Sequence, residues 1–238
     1  MTRDQVMRLM QSSAGSFSTL AARLHVWRDD DRCNAAARRF LRGATQGWVA
    51  PPFAGPQQAV ESPSQITTTR SRVWLSHPSR ARVETSVERR TPSQSVVHEH
   101  VLVINGDRWW QHDPASGLDS GTGHQDAELR LRYERVQDLV APSMFAGFRS
   151  PRLAAARVVG GRDAYGLVLQ PPVMESVPLP IDLGPLGFGD EYELSVDVER
   201  GILLAIETRL EGSRLQRIEL VAAVFDAPIE QGLFAPPP

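Results

Sequence analysis

The sequence predicts an α+β protein: one large, curled antiparallel β-sheet, a half-barrel, with a few helices covering its concave face. Three observations predict it. Several runs alternate apolar and polar side chains, the period of a strand with one buried face. Short turn signals such as Asn105-Gly106 and Gly160-Gly161 join neighbouring runs, so successive strands meander and pair antiparallel. Only two or three stretches carry helical spacing, and helices gathered on one face of such a sheet define the class. So wide a sheet curls, and a curled sheet closed by few helices leaves a cavity lined by its inward residues.

Each element follows in order. Residues 2–13 hold Val6, Leu9 and Met10 at helical spacing, beside Met7, and Gly15-Ser16 ends that helix. From Phe17 to Trp27 the pattern is a strand, with Leu20, Ala22, Leu24 and Val26 on one face. Residues 28–65 break the rhythm: Asp29-Asp30-Asp31 leads into a helix at 33–42, and a Gly-, Pro- and Gln-rich loop follows to Ser64. Strands return at Ile66–Ser76 and Ala81–Arg89, across the turn His77-Pro78-Ser79-Arg80. Val96–Ile104 and Asp107–Gln111 form a hairpin about Asn105-Gly106. Residues 112–126 read as a polar loop, and 129–147 as a helical segment in which Leu131, Val136, Leu139 and Val140 precede a break before Pro142.

The C-terminal third is again β. Val158–Val159 and Tyr165–Leu169 flank a Gly-Gly turn, 171–190 is a Pro- and Gly-rich loop, and a three-strand meander covers Glu191–Phe225. Its first strand alternates Tyr192, Leu194, Val196 and Val198 with Glu191, Glu193, Ser195 and Asp197. The acids of that set read as a solvated edge. With no internal repeat and no clear linker, residues 1–238 are expected to form a single domain, with 30–64 as a loop or helical insertion.

Composition excludes several classes of function. A net charge of −2 over 238 residues offers nothing to nucleic acid or to an anionic membrane. Every one of the basic residues is Arg and none is Lys, a bias read as genomic, although Arg suits phosphate better. No apolar stretch is long enough to span a membrane. The N-terminus lacks the basic start, apolar run and cleavage site of a secretory signal. Taken literally, the protein is cytoplasmic, although a trimmed exported chain would look the same and belong to the periplasm or cell envelope. Cys33 is the only cysteine, so no intramolecular disulfide can form, and it reads as an incidental thiol on a surface segment.

The order of segments resembles a known family. The residues that carry the resemblance are Phe17-Ser18-Thr19-Leu20-Ala21-Ala22, then Arg72-Val73-Trp74-Leu75 and Pro78-Ser79-Arg80-Ala81-Arg82-Val83-Glu84. Further along come Val103-Ile104-Asn105-Gly106-Asp107-Arg108-Trp109-Trp110 and Asp197-Val198-Glu199-Arg200-Gly201-Ile202-Leu203-Leu204, with Phe225-Asp226, Ile229 and Leu233-Phe234 at the end. This pattern is similar to the outer-membrane lipoprotein carrier (LolA-like) family and to the lipid-sensing domain of the sigma-E regulatory proteins. The resemblance covers most of the chain outside 30–64 and 171–190. It implies a half-open barrel lidded by helices, with an apolar cavity for acyl chains, no cofactor and no catalysis. The carrier's lid-locking Arg has no assignable counterpart here.

The expected ligand is therefore an acyl chain or other apolar small molecule, held by inward residues. The candidates are Leu24, Val73, Trp74, Leu75, Val83, Trp109, Trp110, Leu139, Met144, Phe145, Tyr192, Leu194 and Leu204. Adjacent Trp109 and Trp110 must point to opposite faces, so one is interior. The helix near 129–147 and the loop 171–190 would gate the mouth. A second reading is a regulatory module of the same fold that docks a protein partner. The third, a metal-dependent enzyme, rests on His98 and His100, which share a strand face but have no third ligand at recognised spacing. No nucleophile elbow is present, and Gly121-Thr122-Gly123 lacks the context of a phosphate loop.

Overall fold

In this computed structural model residues 1–13, 15–44, 65–77, 79–171 and 189–237 are described. Alternation becomes one open, wholly antiparallel sheet of eleven strands in the order β6-β5-β4-β3-β2-β1-β11-β10-β9-β8-β7. The strands are β1 (Thr19–Asp29), β2 (Ile66–Ser76), β3 (Arg80–Arg90), β4 (Ser95–Asn105), β5 (Arg108–Asp113) and β6 (Gly117–Thr122). Then follow β7 (Arg149–Val159), β8 (Arg162–Gln170), β9 (Glu191–Asp197), β10 (Leu203–Leu210) and β11 (Ser213–Phe225). Every link but β1–β11 joins strands consecutive in the chain, so the first strand closes on the last and the two meanders extend from that seam. The sheet curls strongly: the β7–β8 turn reaches back to β11, where a side chain at Gly160 would meet the Leu220 carbonyl oxygen at 2.4 Å. Only glycine, at φ +57°, fits there.

The helices are α1 (Arg3–Gln11), α2 (Asp30–Ala44), α3 (His124–Tyr133) and α4 (Val136–Val140), followed by a 3-10 helix at Pro142–Gly147. Thr2 and Gln5 form a reciprocal capping box at the start of α1, and Val6 and Met10 are its buried positions. α4 packs on β10, α3 on β4, β5 and β6, and α1 on the 3-10 helix and β7. A continuous apolar core results, running from Val6 and Leu20 through Leu102, Leu139 and Phe145 to Leu194 and Ile218. Phe148 stands perpendicular to Tyr192, ring centroids 4.9 Å apart, beside Phe145.

Several expectations are corrected. The helical segment expected at 129–147 has the break expected before Pro142 and one more besides, so it is three pieces. It breaks at Glu134-Arg135, where Arg135 adopts φ 65°, and again at Pro142, which cannot continue a helix. The loop expected at 112–126 contains β6, short and exposed, paired to β5 from Arg108–Thr122 to Asp113–Gly117. Asp197 is not part of a solvated edge: it is fully buried and takes Arg162 Nε at 2.6 Å and the amides of Glu199 and Arg200. Cys33 is not on the surface. It is buried on α2 with Ala36 and Leu215, and burial pushes its thiol up to about 11, which leaves it protonated and inert. The remainder of the expected insertion, 45–64, and most of the loop at 171–190 lie outside the described residues.

Candidate functional site

Cross-strand register assigns every strand residue to a face. One row of the core face runs Phe225–Leu20–Leu75–Ala81–Ile104–Trp109–Gly121, and the next Ala223–Ala22–Val73–Val83–Leu102–Gln111–Asp119. These rows are apolar across β1 to β4. Two rows further along the strands the chemistry changes: Leu220–Leu24–Ser71–Thr85–His100, then Ile218–Val26–Thr69–Val87–His98. The core face of β2–β4 is thus apolar at one end and hydroxyl- and imidazole-bearing at the other.

Between that polar end and α3 lies a cavity of about 600 Å³, within the range of small-molecule sites. It is lined by Thr69, Thr85, Val87, His100, Trp109, Gln111, Asp126, Leu129, Arg130 and Glu134. Glu134, in the α3–α4 turn, is pinned to the sheet at both oxygens. His100 Nε2 lies 2.7 Å from Oε1, and Thr85 Oγ1 donates to Oε2 at 2.8 Å, with Ser71 Oγ 3.0 Å from Thr85. The Glu134 hydrogen bond holds the His100 imidazole above its ordinary value, against desolvation, which pulls it down. Arg130 reaches from α3 to Gln111 Oε1 at 2.5 Å and to Asp119 at 3.0 Å, its guanidinium 3.4 Å from the Trp109 ring centroid. Trp109 fits because its neighbour on β6 is Gly121, where a Cβ would meet its ring at 2.5 Å. Trp109 Nε1 is buried without a hydrogen-bond partner.

The residues chosen from the sequence divide into groups. Leu24, Val73, Leu75, Val83, Trp109, Leu139, Phe145, Tyr192, Leu194 and Leu204 all belong to the buried core, where they pack against one another and the helices. Of these, Trp109 also borders the cavity. Trp74 and Trp110 are corrected: register places both on the opposite face, in a row with Arg82 and Val103. Met144 falls in the 3-10 helix, and its side chain lies outside the described residues. His98 and His100 do share the core face, but His100 is taken up by Glu134, and His98 is exposed. Among the described residues no three His, Cys, Asp or Glu side chains are grouped to hold a metal ion. Sequence reasoning missed Thr85, Arg130 and Glu134. Thr85 was legible as an inward position on β3, whereas α3's approach to it was not.

No protein-family model matches the chain, and no curated protein matches it significantly. Solved structures do. LprF from Mycobacterium bovis superposes with a TM-score of 0.50 at 9% identity, over 95% of each chain. The lipoprotein LppX of Mycobacterium tuberculosis gives 0.45 at 9% identity, over 95% of this chain and 96% of that one. MucB gives 0.44 at 14% identity, over 98% of this chain, which spans only 62% of MucB's length. At such identities the likeness to LprF establishes a shared fold: the half-barrel class that the sequence resembles. No described helix is long and apolar enough to cross a membrane.

Proposed function

We propose that the protein is a non-catalytic binding protein of the lipoprotein-carrier type, a single unit that holds an amphiphilic ligand between α3 and β2–β5. The observation that carries this reading is the cavity itself. It sits where the core face passes from Leu102 and Trp109 to Thr69, Thr85 and His100, so it presents apolar wall to a chain and hydrogen-bonding groups to a head. Burial of a ligand's apolar surface would supply roughly 25 cal/mol per Å² before ordering costs. The buried, unpartnered Trp109 N–H offers it a donor. No cofactor enters this reading, which carries an envelope location with it rather than the cytoplasmic one.

Native mass spectrometry before and after solvent extraction tests it. A discrete adduct lost on extraction, or taken up from fatty acids or phospholipids, supports the reading. An unchanged apo mass after incubation with both overturns it and favours the protein-docking module.

A further inference from the structure

A second cavity, of about 680 Å³, opens mainly on the other side of the sheet, with the core-face positions Leu24, Ser71, Thr85 and His100 also bordering it. Register explains its lining. The polar-face row Ala222–Arg23–Arg72–Glu84–Val101–His112 lies beside the row Glu219–His25–Arg70–Ser86–Glu99. Where β1 meets β2, Arg23 thus stands directly opposite Arg72, and His25 directly opposite Arg70. Basic groups facing each other in this way repel, and sheets ordinarily avoid the arrangement.

The ion pairs only partly relieve it. Glu84 takes Arg72 at 2.5 Å and also serves Arg82. Arg70 reaches Glu88 at a long 3.6 Å, and Glu88 is shared with Arg90. Glu219, across from His25, is held by Arg217 at 2.7 Å. Arg23 makes no ion pair or hydrogen bond among the described residues, and the buried His25 Nε2 has no partner. The backbone is irregular at the same place. Arg23 pairs with Ala222 but Leu24 with Leu220, so Val221 is an extra residue in β11, and it too lines the cavity. Such bulges re-aim side chains and recur beside binding sites.

We propose that this hollow binds a phosphate group, with Arg23 and Arg70 as its charged donors and the His25 imidazole as a further hydrogen-bonding group. Arg23 has no ion-pair partner among the described residues, and Arg70 only the shared Glu88 at 3.6 Å. Of the lining's two carboxylates, Glu84 is held by Arg72 and Arg82, and Glu99 remains. The surplus of guanidinium charge suits a phosphate monoester, which presents several acceptor oxygens and more than one negative charge. The volume leaves room for the remainder of a small phosphorylated molecule beside Val101 and His112. None of Arg23, His25 and Arg70 lines the α3 cavity, although Thr85 and His100 border both hollows.

Calorimetric titration of the intact chain with inorganic phosphate and with glycerol 3-phosphate tests the proposal. Vesicles of phosphatidylglycerol, with phosphatidylcholine as reference, form a second arm. Saturable one-to-one binding of a soluble phosphate is expected, weakened about tenfold or more by Arg23→Gln and by Arg70→Gln. Arg3→Gln on exposed α1 should leave it unchanged. Sedimentation with phosphatidylglycerol alone, lost in Arg23→Gln, would assign the phosphate to a lipid head group. Absence of binding to every probe, or equal binding by folded Arg23→Gln and Arg70→Gln, would overturn the proposal.

Discussion

His100 and Glu134 carry the chemistry that a single residue can add to this fold. The folded imidazole titrates above the unfolded value of 6.5, so its contribution is fully present below that pH. It is lost as pH rises through the folded value. Protection of the α3 amides, taken relative to their intrinsic exchange rates, should therefore fall as pH rises above about 6.5, and His100→Gln should flatten that dependence. An unaltered profile in the variant would remove the pair from any role in holding α3. Gly121 makes the second prediction at this scale. A Cβ there collides with the Trp109 ring, so Gly121→Val should displace the indole, shift its fluorescence and destabilise by about 1–3 kcal/mol.

At the scale of elements, the C-terminal tail is the least expected contact. A 3-10 helix at Gln231–Phe234 lies on β3 and β4 across the face away from the core, and Arg82 donates to the Leu233 carbonyl at 3.2 Å. Phe234 is buried there, as is Val103 on the strand beneath. Phe234→Ala should cost about 3 kcal/mol, seen as a lowered urea midpoint at constant slope. If the midpoint does not move, the tail is a loose appendage. The same element shows what a sequence conceals. Leu233-Phe234 is visibly apolar, but nothing in the spacing of residues says which face a tail will cross. Most strands were legible because period two is local; β6 and all of β7 before Val158 were not, because both are largely exposed and carry no two-residue alternation.

Across the whole molecule the sheet's polar face is tied together by arginines. Glu207, buried on β10, meets Arg209 at 2.5 Å, Arg214 at 2.8 Å and Arg217 at 3.2 Å, and Arg209 continues to Glu193 and thence Arg157. Burial opposes the Glu207 charge, yet the arginines outweigh it and hold the carboxyl below its ordinary value. Its stabilisation is therefore present above the unfolded pKa and lost as pH falls through the folded one. The guanidiniums are partly solvated, so Glu207→Gln should cost about 1–2 kcal/mol at neutral pH and little in acid. Equal losses at both pH values would discount the network.

What the sequence determined by itself is most of the sheet: which alternating runs are strands, where their hairpins turn, and that Trp109 and Trp110 face opposite ways. These follow from the alternation of side chains along an extended chain, a property of neighbours. The curled-sheet class follows from their number and order, whereas the resemblance to lipoprotein carriers rested on particular segments such as Val103–Trp110 and Asp197–Leu204. Tertiary structure decided the sites. Thr85, His100 and Glu134 meet because register aligns β3 with β4 and the break at Arg135 turns Glu134 onto them. The Arg23 and Arg72 pairing exists only once β1 and β2 are in register, 49 positions apart in the chain. Contacts between residues so distant depend on the closing of the fold, and local periodicity cannot encode them.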